Sequence, residues 1–389
     1  MKNFFSFITL FWLVFDLKLI GSLGSAFLTL TFCLGILILN PKKYYSNISN
    51  VLDCFGYFIL SYLIFLIYIF LRVVISGADE INYLLTTLKT TLILIAAFFY
   101  VIVFYESDIK SNFINIFFLN SCICLFFGIY TELKVYLEPF QYGADEVSEL
   151  LGSNPFRNSF LAGSGYFGIS SLYGLAFAFC LKLIIDDKEK NNFNYLKLLL
   201  IAIAGIFAGR VALVCYFIAI LYFLFIKVEF KVLVSALFSC FLFIFLINSI
   251  VAFEGVKIWF DEMFFNNSIN QSESVSQFKD SFDLPINELT LLFGDAKYGS
   301  STSYYGGSDS GYIRNIYFGG VVYLLILLSS FFLIFYKVRK NLYIYVFLSI
   351  CLFLHLKGVF IFNNPGFWGV ILLVCTYFHK EKNVRFSRN

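Results

Sequence analysis
Residues 306–320 read GGSDSGYIRNIYFGG. An acid, Asp309, lies five positions before an arginine, Arg314, with Tyr312 between them. A long apolar run, VVYLLILLSSFFLIF, follows at once. A charge at the mouth of such a run is costly, so its presence asks for a reason. Arginine offers a planar fork of donors that fits phosphate and stays charged at any working pH. A helix start adds free amides and a partial positive charge. The pattern points to anion binding. Asp309 has two readings that do not exclude each other. It is a good N-cap residue, accepting amide hydrogen bonds. It is also a carboxylate able to orient Arg314 or to take a proton from an attacking hydroxyl.

Two more arginines occupy comparable places. Arg157 precedes the glycine-rich LAGSGYFG, and Arg210 follows AGIFAG at the expected tip of a helical hairpin. Three arginines on one membrane face suggest a shared anionic ligand, against the blander role of snorkelling or packing charges. Arg72, with no motif around it, reads as a packing charge. The preceding loop, FGDAKYGSSTSYYGG, supplies Asp295, Tyr298, Tyr304 and Tyr305. Tyrosine faces stack on sugar rings and their hydroxyls bond sugar hydroxyls, although tyrosines also gather at any membrane interface. Lys357 is a candidate fourth cation, and His355 beside it reads as a packed polar residue. Gly163, Gly165 and Gly168 fit close helix packing better than a phosphate cradle.

These residues need a membrane to position them. Of 389 residues, 60% are apolar and only 14% charged, against about 25% charged in an average soluble domain. Mean hydropathy is +0.83. Phe 53 and Tyr 26 are very high and fit an AT-rich bacterial genome. The nine cysteines lie in or beside apolar runs with no CxxC pair, and there are only two histidines, His355 and His379. That pattern argues for apolar packing rather than a disulfide framework or a zinc site.

A spanning helix needs ~20 apolar residues. The chain yields twelve expected spans: 4–20, 21–39, 54–75, 87–105, 112–130, 160–184, 195–209, 210–226, 231–252, 312–335, 342–361 and 366–379. Residues 4–39 are divided at Gly21/Gly24 and residues 195–226 at Gly209–Arg210. Lys2 precedes an apolar run without a small-x-small cleavage site, so the first helix is expected to stay as an anchor. Lysines and arginines concentrate in NPKKYY, KVEFK and KVRKN. The positive-inside rule then puts both termini in the cytoplasm. The expected architecture is an all-α polytopic membrane protein, one transmembrane domain over 1–389. Two long outer loops interrupt it, 131–159 and 253–311. The second carries three lysines against nine acids, and its apolar spacing predicts short helices over the membrane mouth.

The quoted segments LLFGDAKYG (291–299), SDSGYIRNIYFGG (308–320), Gly209–Arg210 and NPFRNSFLAGSGYFG (154–168) now suggest a family. With twelve spans and a large outer loop before the tenth, the chain resembles the O-antigen polymerase (Wzy) group of bacterial membrane glycosyltransferases. The hydropathy likeness covers nearly the whole chain, the motif likeness about a tenth of it. The resemblance implies an inner-membrane enzyme with its active site facing the periplasm. Undecaprenyl-diphosphate-linked oligosaccharides would be both donor and acceptor. It implies a chain-length regulator as partner and membrane lipid as surroundings. No cofactor, metal or nucleic acid enters the scheme. In that frame Arg210, Arg314 and Asp309 are the expected catalytic residues. Arg157, Tyr298, Tyr304, Tyr305, Tyr312, Asp295 and Lys357 are the expected substrate-binding residues. The related ligases are associated with a histidine in the large outer loop, and this loop has none. A flippase for the same lipid-linked unit would share the span number but not need so long a loop.

Overall fold
The computed structural model describes residues 2–20, 23–76, 80–142, 156–163, 165–186, 192–226, 287–299 and 305–386. About 82% of these residues are helical. The helices are α1 (Lys2–Phe15), α2 (Ala26–Leu39), α3 (Tyr45–Ser76), α4 (Ile81–Val103), α5 (Ile109–Ile129) and α6 (Tyr166–Ile185). They continue with α7 (Asn192–Ala208), α8 (Val211–Ile226), the short α9 (Glu288–Phe293), α10 (Gly311–Ile334), α11 (Ile344–Lys357) and α12 (Pro365–Phe386). Eleven of the twelve expected spans coincide with a helix. The remaining one, 231–252, lies outside the described residues, as does most of the loop 253–311.

Among the described residues, five helices are long and apolar enough to cross a membrane: Pro41–Ile75, Ile81–Val103, Ile109–Ile129, Phe167–Ile185 and Gly311–Ile334. Helix α3 makes the case most directly. Phe55, Phe58, Tyr62, Phe65 and Ile69 are buried, whereas Tyr57, Leu60, Ile64, Ile67, Leu71 and Val74 are each more than half exposed. Both sets follow helical spacing, so this helix is apolar on its inner and outer faces alike. Such a surface suits hydrocarbon, where every backbone polar group must be satisfied within the helix.

The chain forms two compact units. Unit 1 comprises Met1–Thr29, Glu106–Asn267 and Tyr345–Ile350. Helix α6 is its centre and packs on α7 and α8, while α5 packs on α7 and α1. The all-α expectation needs one amendment. Between α1 and α2 the backbone forms a small antiparallel hairpin, β1 (Lys18–Ile20) with β2 (Leu23–Gly24). The paired strands lie where Gly21 and Gly24 were expected to separate two spans. Polar side chains link the helices: Asn112 Nδ2 donates to Ser6 Oγ at 2.9 Å, and Thr29 Oγ1 donates to the Thr9 carbonyl at 2.9 Å.

Of the glycines expected to pack closely, Gly163 does so from a turn rather than a helix, and a Cβ there would strike the Asp16 carbonyl. That turn lies before α6, and Gly165 is the N-cap of α6 with open space around it. Tight approaches between helices of this unit occur at Gly174 and Gly205. A Cβ on Gly174 would lie 2.6 Å from the Cys215 Cβ, and one on Gly205 would strike the Tyr216 hydroxyl. Small residues let helix backbones approach where lipid supplies no hydrophobic drive for association.

Unit 2 comprises Leu30–Tyr105, Ser268–Ile344 and Cys351–Asn389. Helix α3 packs on α10 and α4, α10 on α9, and α12 on α4. Its core is aromatic: Trp368, Phe362, Tyr62, Phe58 and Phe65 pack ring on ring, with Phe362 and Trp368 stacked 4.9 Å apart. One end of this unit gathers the start of α3 and the ends of α4, α10 and α12. There Lys337 pairs with Asp53 at 2.6 Å, and Asn47 Nδ2 donates to the Ile102 carbonyl at 2.9 Å. The opposite end gathers α9 and the start of α10.

The α6–α8 contact gives a direct test. Gly174→Ala is expected to lower stability by about 1–3 kcal/mol through overpacking, read as a lower Tm of the purified protein in detergent. Adding Cys215→Gly removes the opposing Cβ and should recover part of that loss. An unchanged Tm in Gly174→Ala would contradict the packing described.

Candidate functional site
The candidate residues of unit 2 collect at the end built by α9, α10 and the segment between them. Helix α10 starts at Gly311 with Ser310 as its N-cap. Asp309, expected as the cap, is instead exposed, and no ion pair joins it to Arg314 among the described residues. The N-cap Ser310 makes no side-chain capping bond. Its own amide donates to Ser308 Oγ at 3.2 Å. Arg314 therefore stands in the first turn of an apolar helix, as the sequence suggested.

Arg314 is held by rings. Its guanidinium lies 4.3 Å from the centroid of Tyr298, and Tyr298 stacks on Tyr83 at 3.9 Å. Two groups that close to one ring occupy its two faces. Tyr298 is thus buried as a platform for Arg314, with no face left to stack on a sugar. Tyr83 in turn shares a 2.5 Å hydrogen bond with Tyr323 through their hydroxyls. A guanidinium over an aromatic face is attracted by the ring quadrupole, by about 0.5–2 kcal/mol depending on desolvation.

The platform depends on a broken helix. At Gly320 the backbone leaves helical geometry, with φ 70° and ψ −169°. Gly294, the residue closing α9, has φ 72° and ψ 170°. Both values fall in a region essentially reserved for glycine. The two glycines pack against each other's neighbourhoods. A Cβ on Gly294 would lie 2.5 Å from the Gly319 nitrogen, and one on Gly320 would strike the Leu292 carbonyl.

A break at 320 strips the carbonyls of the preceding turn of their helical partners. Each is taken by another donor. Asp295 N donates to the Tyr317 carbonyl at 2.6 Å, and Ala296 N to the Phe318 carbonyl at 3.1 Å. The Tyr68 hydroxyl donates to the Gly319 carbonyl at 2.8 Å. Arg72 Nη2 reaches the Gly294 carbonyl at 3.1 Å and the Phe318 carbonyl at 3.4 Å. Arg72 thus braces the junction. Its packing role was legible from the sequence, but its partners were not.

Other expected substrate contacts prove to be committed within the protein. Asp295 accepts from Thr290 Oγ1 at 2.6 Å on one oxygen and from the Tyr305 hydroxyl at 3.1 Å on the other. Partial burial and this bond to Asp295 hold the Tyr305 hydroxyl's pKa above its ordinary value. The Tyr312 hydroxyl donates to the Leu352 carbonyl at 3.1 Å, and its ring meets His355 edge-on. Lys357 is half-buried and ends α11. Tyr304 lies outside the described residues.

His355 is fully buried, and its Nδ1 accepts from the amides of Phe360 and Ile361. Nδ1 is therefore unprotonated, and the ring proton resides on Nε2. That nitrogen faces the Asn315 side chain at 2.8 Å, so Asn315 must turn its oxygen toward His355. The histidine is a fixed structural element with both nitrogens engaged, unsuited to acting as a base.

In unit 1, Arg157 and Arg210 come to the same end of the bundle. Phe156 stacks on Phe207 at 4.5 Å, which ties the turn at 156–158 to the last turn of α7, just before Arg210. Arg157 thus sits in a turn nine positions before α6, not at a helix start. Asp16 lies at this end too, and the sequence reading passed over it. It is 1% exposed with φ 40°, and its Oδ1 accepts from the first amide of α2, that of Ala26, at 3.1 Å. Burial and the nearby Asp16 charge push the Tyr142 hydroxyl above its ordinary pKa.

No family model, curated protein or solved structure matches the chain. Function must therefore be argued from these residues.

The break supplies a prediction of its own. Gly320→Ala combines a glycine-only backbone with a clash against Leu292, and should cost about 1–3 kcal/mol for the backbone alone. Gly307→Ala has a similar positive φ but open space around it. Thermal unfolding of the two variants should show the larger loss at Gly320. Equal losses would mean that the junction with α9 contributes nothing.

Proposed function
We propose that this protein is a membrane glycosyltransferase of the O-antigen polymerase type. It would join polyprenyl-diphosphate-linked oligosaccharide units into a surface polysaccharide. The observation that carries the reading is Arg314. A permanent cation sits in the first turn of an apolar membrane helix and is seated on Tyr298. Arginine there suits an anion that arrives at the membrane surface attached to lipid.

The chemistry follows from the substrate class. A hydroxyl of the acceptor sugar attacks the anomeric carbon of the donor. The bond from that carbon to the diphosphate breaks, and the lipid diphosphate leaves with the electron pair. Negative charge grows on the leaving group, and fixed cations and helix amides lower the barrier by stabilising it. Arg314 is assigned to that charge. Arg210, with Arg157 as a further candidate, is assigned the same chemistry in unit 1. Asp309, an exposed carboxylate at the entrance to α10, is assigned to the acceptor proton. The reading includes twelve crossings with 231–252 as the ninth, both termini cytoplasmic, and the loop 253–311 in the periplasm of a bacterial inner membrane. A chain-length regulator is the expected protein partner.

One observation favours a second reading. Helices interrupted within the membrane are a recurring feature of transporters, where the freed backbone groups line a substrate path. The break in α10 therefore also fits a flippase for the same lipid-linked unit.

A gel of surface polysaccharide from strains with and without the gene separates these. Loss of the ladder with a surviving single-repeat band supports the polymerase. Loss of attached repeats with long polymer still on the lipid carrier supports a ligase. Loss of everything, with single units trapped on the cytoplasmic side, supports the flippase. Within the polymerase reading, Arg314→Ala and Arg210→Ala should each cut polymer formation by roughly 10²-fold at unchanged protein level. Lysine should rescue poorly, since it keeps the charge and loses the fork. Full polymer in both alanine strains would sink the assignment.

A further inference from the structure
The end of unit 2 opposite Arg314 carries a dense basic face that the glycosyltransferase reading does not use. The segment Pro41–Tyr44 contributes Lys42 and Lys43, the turn after α10 contributes Arg339 and Lys340, and the end of α12 contributes Lys380 and Lys382. The fold brings these three stretches together. The turn at Tyr336–Val338 packs on α12, and Pro41–Tyr44 leads directly into α3, which carries Asp53. Lys337 and His379 both approach Asp53, at 2.6 and 3.4 Å. Asp53 and Glu381 are the acids of unit 2 on this face among the described residues, and Asp53 is already paired. Six basic side chains thus share this face with Asp53, paired with Lys337 and His379, and with Glu381, which accepts from the Tyr377 hydroxyl.

We propose that this face binds the headgroups of anionic phospholipids. Three observations single out lipid as the partner. First, the cations border an apolar rim: Tyr45, Leu52, Tyr57 and Leu342 are each more than half exposed. A soluble acidic protein would have to cover that rim, whereas a lipid presents an anionic head above an apolar chain. Second, aromatic rings flatten part of the basic layer against the protein. The Arg339 guanidinium lies 4.1 Å from the Tyr336 ring centroid, and Lys380 Nζ 4.2 Å from that of Tyr105. Such seating keeps a cation at the level where Tyr rings occupy the membrane interface. Third, the bases come from three separate connections rather than one tail, so the charge is spread laterally across the bundle end, as a bilayer surface requires. Each lysine or arginine near an anionic leaflet adds to the attraction, and the effect falls off within a Debye length.

The inference rests on the membrane character of the helices and not on the enzymatic assignment, so either can fail alone. The test uses the purified full chain in nanodiscs of phosphatidylcholine. Spin-labelled phosphatidylglycerol and spin-labelled phosphatidylcholine are added in turn, and the motionally restricted fraction of each is measured. At low salt the anionic lipid should be favoured by about threefold or more, and the preference should shrink toward one at about 0.5 M salt. The combined variant Arg339→Gln, Lys340→Gln, Lys382→Gln should lose at least half of the preference. The charge-keeping variant Arg339→Lys, Lys340→Arg, Lys382→Arg should retain it. Equal restriction of the two lipids in the native protein, a preference indifferent to salt, or one that survives the glutamine variant would overturn the proposal. The salt series on the native protein decides the matter even where the glutamine variant fails to fold.

Discussion
A backbone amide or carbonyl placed in hydrocarbon has no water to turn to, and this constraint governs how α10 can be built. An intact helix meets it without help. A helix broken at Gly320 does not, and the protein supplies a substitute donor for each carbonyl set free. Two come from the chain segment after α9, one from Tyr68, and one more from Arg72. The loop before α10 is therefore locked to the helix it introduces. Tyr298 comes two residues after that backbone pairing at Asp295 and Ala296, and the position of Arg314 follows from Tyr298. The seat of the candidate cation is in this sense a product of the break.

That construction explains why several tyrosines and acids near Arg314 serve structure. Asp295 accepts two hydrogen bonds from its own loop, and Tyr312 is tied to α11. A loop that must satisfy a broken helix has few side chains to spare. Those left accessible, Asp309 and the exposed edge around Tyr305, are the ones that a substrate would meet first. The same unit carries cations at both of its ends, a ring-mounted arginine at one and a spread basic face at the other. Both use aromatic rings to hold a cation in place.

Much of the helical layout was legible because apolar run length maps directly onto helix length in lipid. The divisions at Gly21/Gly24 and Gly209–Arg210 were legible for the same reason, since glycine and charge interrupt such runs. The end of α6 nearest Arg157 was not. The expected span 160–184 takes in most of LAGSGYFG, yet Gly163 donates to the Phe15 carbonyl from a turn and α6 starts only at Tyr166. Gly320 was equally hidden. GlyGly within an apolar run is common in packed membrane helices, and only the approach of α9 makes it a break.

The sequence by itself determined that this chain builds apolar helices, which stretches most of them occupy, and that Arg314 would stand at the start of one. Run length, charge placement and helix-breaking residues are local properties, and a local reading recovers them. Tertiary structure alone decided which side chains serve Arg314. Tyr83 and Tyr298 are 215 positions apart, and Arg72 lies 222 positions from the Gly294 carbonyl it braces. Nothing in local spacing links such residues. They meet because a broken helix must recruit donors from whatever elements pack beside it.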